Sequence, residues 1–302
     1  MQDSPPSGPL VVGIDVGGTK TRLRAVTGVD VVADHVRATS GWRPHEPAAA
    51  ADRLAALVRE VLPPGVLPSA VAVGAHACET PPQCARLRVA LRERLGVPVR
   101  VVGDAELLVP AAGLDKGVGL VAGTGSVAVG TLPDGTVVQV GGWGAVLGDE
   151  GGGAGLVREA ARAVWAAHDR GEEPDALALG LLDSFGVPEV PALGAALESA
   201  TDVSAEWGRH APVVFTAAAE GSALAAAVIG DAARALAALV AGLAARGVPV
   251  DDVVVAGGTV LGRPALYDAF SAALADALPG ARPRPLTAPP VEGAVALARS
   301  LL

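Results

Sequence analysis

The stretch from Val11 to Val26, VVGIDVGGTKTRLRAV, carries the reading of this chain. An apolar run, residues 10–16, breaks at Gly17-Gly18 and resumes as the alternating Thr21-Arg22-Leu23-Arg24-Ala25-Val26. Period-two alternation predicts a strand, so the stretch reads as a hairpin closed by a glycine turn. Gly13 to Lys20 superficially fits a P-loop. That motif needs Lys directly after the second glycine, where Thr19 stands, and it opens a helix rather than a strand. The P-loop is excluded, and the turn itself becomes the candidate anion site, because glycine lets backbone N–H groups approach a phosphate and hydroxyls add donors.

Working outward, the pattern predicts a third strand at 29–36 and a helix at 48–62 with Leu54, Leu57, Val58 and Val61 at helical spacing. Next come a strand at 70–75, a helix at 85–95, a strand at 97–102, and a short helix opened by Gly103-Asp104. The order then restarts: a strand at 118–122, the turn Gly123-Thr124-Gly125, a strand at 126–132, Pro133-Asp134-Gly135, and a strand at 136–140. Helices follow at 156–168 and 224–245 with a mostly helical region between them. A strand at 253–256, Gly257-Gly258, and helices at 265–278 and 291–302 complete the chain. The second turn is no dinucleotide fingerprint, because residues 127–132 alternate like a strand. Two blocks of strand, glycine turn, strand, strand predict a duplicated α/β domain. Their turns, facing one another across an interdomain cleft, would clamp a triphosphate. The expected domains are 1–114 and 115–289.

Composition narrows the function. The chain has 302 residues, 51% hydrophobic and 18% charged, with a mean hydropathy of +0.44, which argues against disorder. Aromatics are only 3%, so the core is built from small side chains. A net charge of −9 without a Lys/Arg block points away from nucleic acid and from anionic membranes. The start MQDSPPSGPL lacks the basic and apolar regions of a signal peptide. The longest apolar stretch, 213–245, is interrupted by Glu220, Asp231 and Arg234. The two cysteines are no secretory disulfide framework. The expectation is a soluble cytoplasmic protein that binds neither nucleic acid nor membrane.

The chain resembles the actin-like sugar kinase and Hsp70 ATPase superfamily. Within it, it looks like the BadF/BadG/BcrA/BcrD-type ATPases, and most of all their N-acetylglucosamine kinase branch. The matching stretches are VVGIDVGGTKTRLRAV from Val11, VVGDAELLVPAAG from Val101, GLVAGTGSVAVG from Gly119, GGWGAVLGDEGGGAGLVREAARAV from Gly141 and VVVAGGTV from Val253. They run in family order, and GGWGAVLGDEGGGA is the most specific. The resemblance implies an α/β, two-domain actin-like fold, ribonuclease H-like and duplicated, with a cleft between the domains. It also implies that the last helix, within 290–302, packs back on the N-terminal domain. ATP and Mg²⁺ are the implied cofactors, an amino sugar the implied substrate and a homodimer the implied assembly.

Residue by residue, the resemblance gives Gly17, Gly18 and Thr19, with Lys20 beside them, the first phosphate hairpin, and Asp15 the Mg²⁺ through water. It gives Thr124, Gly125 and Ser126 the second hairpin, and Gly257, Gly258 and Thr259 the adenosine. Asp104 matches the catalytic base. Phosphoryl transfer needs positioning, charge neutralisation and a carboxylate near the acceptor hydroxyl, so a carboxylate at a strand end suits the role. Asp before Ala-Glu-Leu-Leu is also a good helix N-cap, and the residues alone leave the two readings level.

Trp42, Thr124, Gly142, Trp143, Gly144 and Asp149 are the expected sugar contacts. Trp143 reads equally as an indole stacked on a sugar face and as a buried core indole. Asp149 and Glu150 also suit a helix cap or dipole, but three successive glycines after them imply a close approach. Two positions depart from the N-acetylglucosamine kinase pattern: Val127 replaces an Asn, and the loop 40–46 lacks one. In that loop Arg43 would suit the carboxylate of N-acetylmuramic acid and Glu46 the ammonium of glucosamine, while a solvated connection remains the plain reading. N-acetylglucosamine, phosphorylated at its 6-hydroxyl, ranks first, with N-acetylmuramic acid next.

His76, Cys78, Glu79 and Cys84 lack the paired short spacing of a zinc site, and the Cys-rich motif of ROK-type sugar kinases has no counterpart in the second domain. An iron–sulfur activase of the same superfamily would carry cysteines near the second turn, which has none. A DNA-binding sugar sensor would need an appended helix-turn-helix, and only about ten residues precede the first strand. A non-catalytic sugar sensor acting through a protein partner stays open.

Overall fold

The computed structural model describes residues 8–302 except Glu79, so the expectations for MQDSPPS and for Glu79 lie outside the described residues. The chain divides into two compact units, one running to Asp115 and taking back Leu286–Leu302, the other Lys116–Pro285.

The first unit runs β1 (Leu10–Val16), β2 (Lys20–Thr27), β3 (Asp30–Ala38), α1 (Pro47–Val61), β4 (Ala70–Ala75), α2 (Pro81–Leu95) and β5 (Val99–Gly103). A single 3₁₀ turn, Asp104–Leu107, leads into α3 (Leu108–Ala111). The second unit runs β6 (Val118–Ala122), β7 (Ser126–Thr131), β8 (Val137–Gly141), α4 (Gly153–Asp169), α5 (Ala176–Phe185), α6 (Leu193–Glu198), α7 (Val203–Gly208), α8 (Pro212–Ala219) and α9 (Ala223–Ala245). It continues through β9 (Asp252–Ala256), α10 (Gly258–Leu261), α11 (Pro264–Ala277) and β10 (Arg282–Pro285), and α12 (Val291–Arg299) returns the chain to the first unit.

Each unit holds a five-stranded sheet, ordered β3-β2-β1-β4-β5 in the first and β10-β9-β6-β7-β8 in the second. In both, a glycine hairpin joins the first antiparallel pair, and the first strand then pairs in parallel with the strand that follows the helices. The topology therefore repeats, β6 to β10 standing for β1 to β5, as the duplicated pattern predicts.

In the first unit one sheet face buries Val12, Ile14, Val16 and Leu23 against Leu54, Leu57 and Val58 of α1 and Leu87 and Leu91 of α2. The other face buries Val11, Val26, Ala70 and Ala72 under Val295 and Ala298 of α12. The strands are thus covered on both faces, which is why residues 70–75 read as a continuous apolar run.

Four of the differences from the sequence reading have a clear physical cause. α2 starts at Pro81 rather than 85, because prolines fit the first helical turn and Thr80 with Gln83 closes a capping box. α4 starts at Gly153 rather than 156, glycine having concealed its first turn. The four-residue α10 forms directly after Gly257. β10, Arg-Pro-Arg-Pro, reads as no strand at all, yet it pairs with β9 at the sheet edge, where proline's missing donor is tolerated.

α9 is, by length and composition, apolar enough to cross a membrane despite Asp231 and Arg234, which pair with one another. Its Val228, Leu236, Val240 and Leu243 face are buried in the second core with Phe270 and Leu274 of α11, the arrangement of a core helix.

Gly293 of α12 lies against the turn that follows Asp104. A Cβ there would sit 2.0 Å from the Leu107 carbonyl oxygen and 3.1 Å from the Ala111 nitrogen. Gly293→Ala is therefore expected to destabilise the protein by about 1–3 kcal/mol, the usual range for forcing a methyl into a packed interior. Thermal unfolding checks it: an unchanged midpoint would show that α12 can slide off the turn.

Candidate active site

In the first unit three parallel strands end together. Val16 of β1 pairs with Ala75 of β4, and Ala75 pairs with Gly103 of β5. The next residues, Gly17, His76 and Asp104, therefore leave the sheet side by side at its carboxyl edge, where open α/β sheets bind ligands. The turn after β1 is closed by Gly17 N–H donating to the Lys20 carbonyl at 3.0 Å, and Gly18, Thr19 and Lys20 are exposed.

Asp104 is partly exposed. Its Oδ1 accepts the Ala105 N–H at 2.9 Å, and its Oδ2 lies 3.4 Å from His76 Nδ1. The N-cap alternative for Asp104 is not what the structure shows. Glu106 does the capping instead, its carboxylate accepting the Gly103 N–H at 2.8 Å. Asp104 is left as the first residue of the 3₁₀ turn, with one oxygen free of backbone donors.

Asp15, one residue before the end of β1, is mostly buried. Burial first, and the Asp104 charge second, push its carboxyl up to about 7, against the pull of Arg22 and Lys20. A carboxylate so destabilised in its ionised form gains from a nearby cation. Trp42 is half-buried against the first core, and its indole N–H donates to the His76 carbonyl at 2.9 Å. Arg43 and Glu46 are exposed and pair with each other at 3.3 Å, in keeping with a solvated connection. Among the described residues no group of three or more His, Cys, Asp and Glu side chains is arranged for a metal; Cys84 instead contacts the Cys78 carbonyl at 3.3 Å.

In the second unit the hairpin Gly123-Thr124-Gly125 is held from three sides. The Gly123 carbonyl accepts the Gly153 N–H at 2.8 Å and the Thr259 hydroxyl at 2.6 Å, and the Thr124 carbonyl accepts the Ala154 N–H at 3.0 Å. Ser126 donates its hydroxyl to the Glu150 carbonyl at 2.6 Å and its N–H to Asp149 Oδ1 at 3.2 Å. Gly152 lies directly on Gly125: a Cβ at Gly152 would approach the Gly125 carbonyl carbon at 2.6 Å. The triple glycine thus serves the close approach that its cost implies. Gly257 follows β9, next to the end of β6, so the Gly257–Thr259 segment adjoins the hairpin.

Asp149 is 7% exposed and has a left-handed backbone, φ +58°, which few residues other than glycine adopt. Burial raises its carboxyl's pKa, and the Ser126 N–H opposes that rise. The cap of α4 is Gly152, so Asp149 is not a cap but a brace inside the hairpin. Trp143, between Gly142 and Gly144, is 74% exposed, which removes the buried-indole alternative and leaves the ring open to solvent, as are Val146 and Leu147 further along the loop.

Each unit thus gathers its own expected residues: Asp15, Gly17 to Lys20, Trp42 and Asp104 in the first, and Thr124 to Ser126, Gly142 to Gly144, Asp149 and Gly257 to Thr259 in the second. Sequence reasoning assigned no role at the site to His76. Its 28-residue separation from Asp104 carries no signal, and only the β4–β5 register joins them.

Comparison with solved structures identifies the architecture as that of the two-domain actin-like ATPases. A proposed N-acetylglucosamine kinase from Chromobacterium violaceum superposes with a TM-score of 0.73 at 24% identity, covering 97% of this chain and 100% of that one. A ROK family glucokinase from Streptomyces griseus, solved with glucose and AMPPNP, superposes at 0.57 with 20% identity, covering 96% and 99%. The family model of the BadF/BadG/BcrA/BcrD ATPases matches residues 101–298, and the chain belongs to that family. The match includes Asp104, the second hairpin and Gly257 to Thr259, while the first hairpin lies ahead of it. A curated relative, the N-acetylmuramic acid/N-acetylglucosamine kinase of Clostridium acetobutylicum, is 29% identical over 184 residues. The match spans 57% of this chain and 59% of the relative, less than two thirds of its length.

Proposed function

We propose that the protein is an ATP-dependent kinase of an amino sugar, with Asp104 as the general base and N-acetylglucosamine, at its 6-hydroxyl, as the first-ranked substrate. The observation that carries this reading is Asp104 itself: a carboxylate with one oxygen clear of backbone donors, next to Asp15 and the exposed turn Gly18 to Lys20 at the ends of parallel strands. In a member of an ATPase family, that carboxylate is suited to accept the proton of a sugar hydroxyl as the phosphoryl group arrives. A positioned base of this kind contributes about 10²–10⁴-fold.

The residues fit a magnesium ion. Mg²⁺ uses one or two carboxylates and fills its shell with water and phosphate oxygens, and Asp15 is the carboxylate whose ionised form a cation would favour. When bound, the ion neutralises phosphate charge. The protein's own part is to cradle the phosphates on Gly17 to Lys20 and on Thr124 to Ser126, with Gly257 to Thr259 against the adenosine. Trp42, Trp143 and the glycines beside it are the sugar-side candidates. Asp149, whose Oδ1 braces the second hairpin through the Ser126 N–H, is a further sugar-side candidate.

The Clostridium relative's name joins two N-acetylated sugars, which supports N-acetylmuramic acid as the second substrate, with glucosamine behind it. Measured kcat/KM with ATP and Mg²⁺ across N-acetylglucosamine, N-acetylmuramic acid, glucosamine, glucose and glycerol decides the order. The expected result is an N-acetylated sugar at the top. Glucose or glycerol preferred over every amino sugar would overturn the substrate while keeping the kinase.

A further inference from the structure

We propose that His76 is a positioning residue for Asp104, an assignment that rests on the reading of Asp104 as the base. His76 and Asp104 follow the paired residues Ala75 and Gly103, so the register itself sets them side by side. Imidazole Nδ1 stands 3.4 Å from Asp104 Oδ2, a gap that a small rotation closes to a hydrogen bond. Asp104 Oδ1 is already held by the Ala105 N–H at 2.9 Å, so the imidazole supplies the second point that fixes the carboxylate's plane.

The backbone of His76 is itself clamped. Its N–H donates to the Val16 carbonyl at 2.7 Å and its carbonyl accepts the Trp42 indole at 2.9 Å. The next residue, Ala77, has φ +59°, a left-handed conformation that an alanine adopts only against a steric cost. Backbone strain of this kind persists where surrounding structure overdetermines it, and here it turns the chain directly after the imidazole. The far edge of the ring, Nε2 and Cδ2, lies 3.8 and 4.0 Å from where a side chain on Gly18 would begin. The imidazole therefore spans from Asp104 to the first glycine turn. With Nδ1 carrying the proton, His76 donates to Asp104.

The test uses the full-length protein with ATP, Mg²⁺ and N-acetylglucosamine. His76→Phe is expected to lower kcat about tenfold, with KM for either substrate within about twofold, since a misoriented base costs turnover rather than binding. His76→Asn, whose amide nitrogen can stand where Nδ1 does, is expected to recover most of the loss. In the Asp104→Asn background, His76→Phe should add no further loss. Wild-type turnover by His76→Phe, failure of His76→Asn to recover, or additive losses would overturn the assignment. If Asp104→Asn is inactive while His76→Phe is fully active, only the His76 assignment falls. If Asp104→Asn keeps its turnover, both fall.

A measurement independent of activity is the ring tautomer, read from the long-range ¹H–¹⁵N spectrum and assigned by its loss in His76→Phe. The expected form is Nδ1–H in the wild type, changing in Asp104→Ala. An Nε2–H tautomer in the wild type would overturn the assignment whatever the kinetics.

Discussion

Asp104→Asn is expected to lower kcat by about 10²-fold or more, while nucleotide affinity stays close to wild type. Asparagine keeps the shape of the side chain and an oxygen for the Ala105 N–H, but it cannot take the hydroxyl proton. The loss should therefore fall on turnover, and the melting temperature should barely move. Steady-state kinetics and calorimetric titration of a nonhydrolysable ATP analogue separate the two effects. A variant that folds normally and retains most of its turnover removes Asp104 from the mechanism.

The second large effect concerns Asp15, and it has opposite signs for stability and activity. Its carboxyl has a pKa of about 7 in the folded protein, against 3.8 for an ordinary Asp. Between those values the folded chain holds a proton that the unfolded chain has lost. Stability therefore falls as pH rises from about 4 to 7 and then levels off, at a cost of the order of 4 kcal/mol. Asp15→Asn has no such titration. Without ligands, and with chelator present, the variant should match the wild type near pH 4 and melt several degrees higher at pH 8. The same substitution removes the carboxylate proposed to hold Mg²⁺, so magnesium should raise the wild-type melting point at pH 8 and leave the variant's unchanged, while turnover drops. A difference between the two proteins that stays flat across pH would show that Asp15 is ionised in the folded state without penalty.

Much of the fold was legible because the two periodicities are clean. Period-two alternation sets Leu23 and Ala25, and helical spacing sets Leu54, Leu57 and Val58, in one buried core, while Val26 goes to the opposite sheet face beneath α12. The repeat of strand, glycine turn, strand, strand was visible because glycines stand at the same step of both hairpins. Illegible elements were those whose residues disfavour the structure they adopt. Gly153 opens a helix and two prolines sit in β10, because tertiary pairing overrides local preference.

The sequence by itself determined the residue types at the site: the two glycine turns with their hydroxyls, a carboxylate after the fifth strand, and the triple glycine. Those choices answer to local backbone requirements, close approach and turn formation, that a few consecutive residues express. Tertiary structure alone decided that Asp15 is raised to about 7, that Asp149 is a brace and that Asp104 has a neighbouring imidazole. Asp15 is shifted because burial and Asp104 act on it together, Asp149 is occupied because it folds back onto Ser126, and His76 meets Asp104 because β4 and β5 run in register. Each of these depends on a field or a contact from residues at least 20 positions away, and no local pattern of amino acids records such a distance.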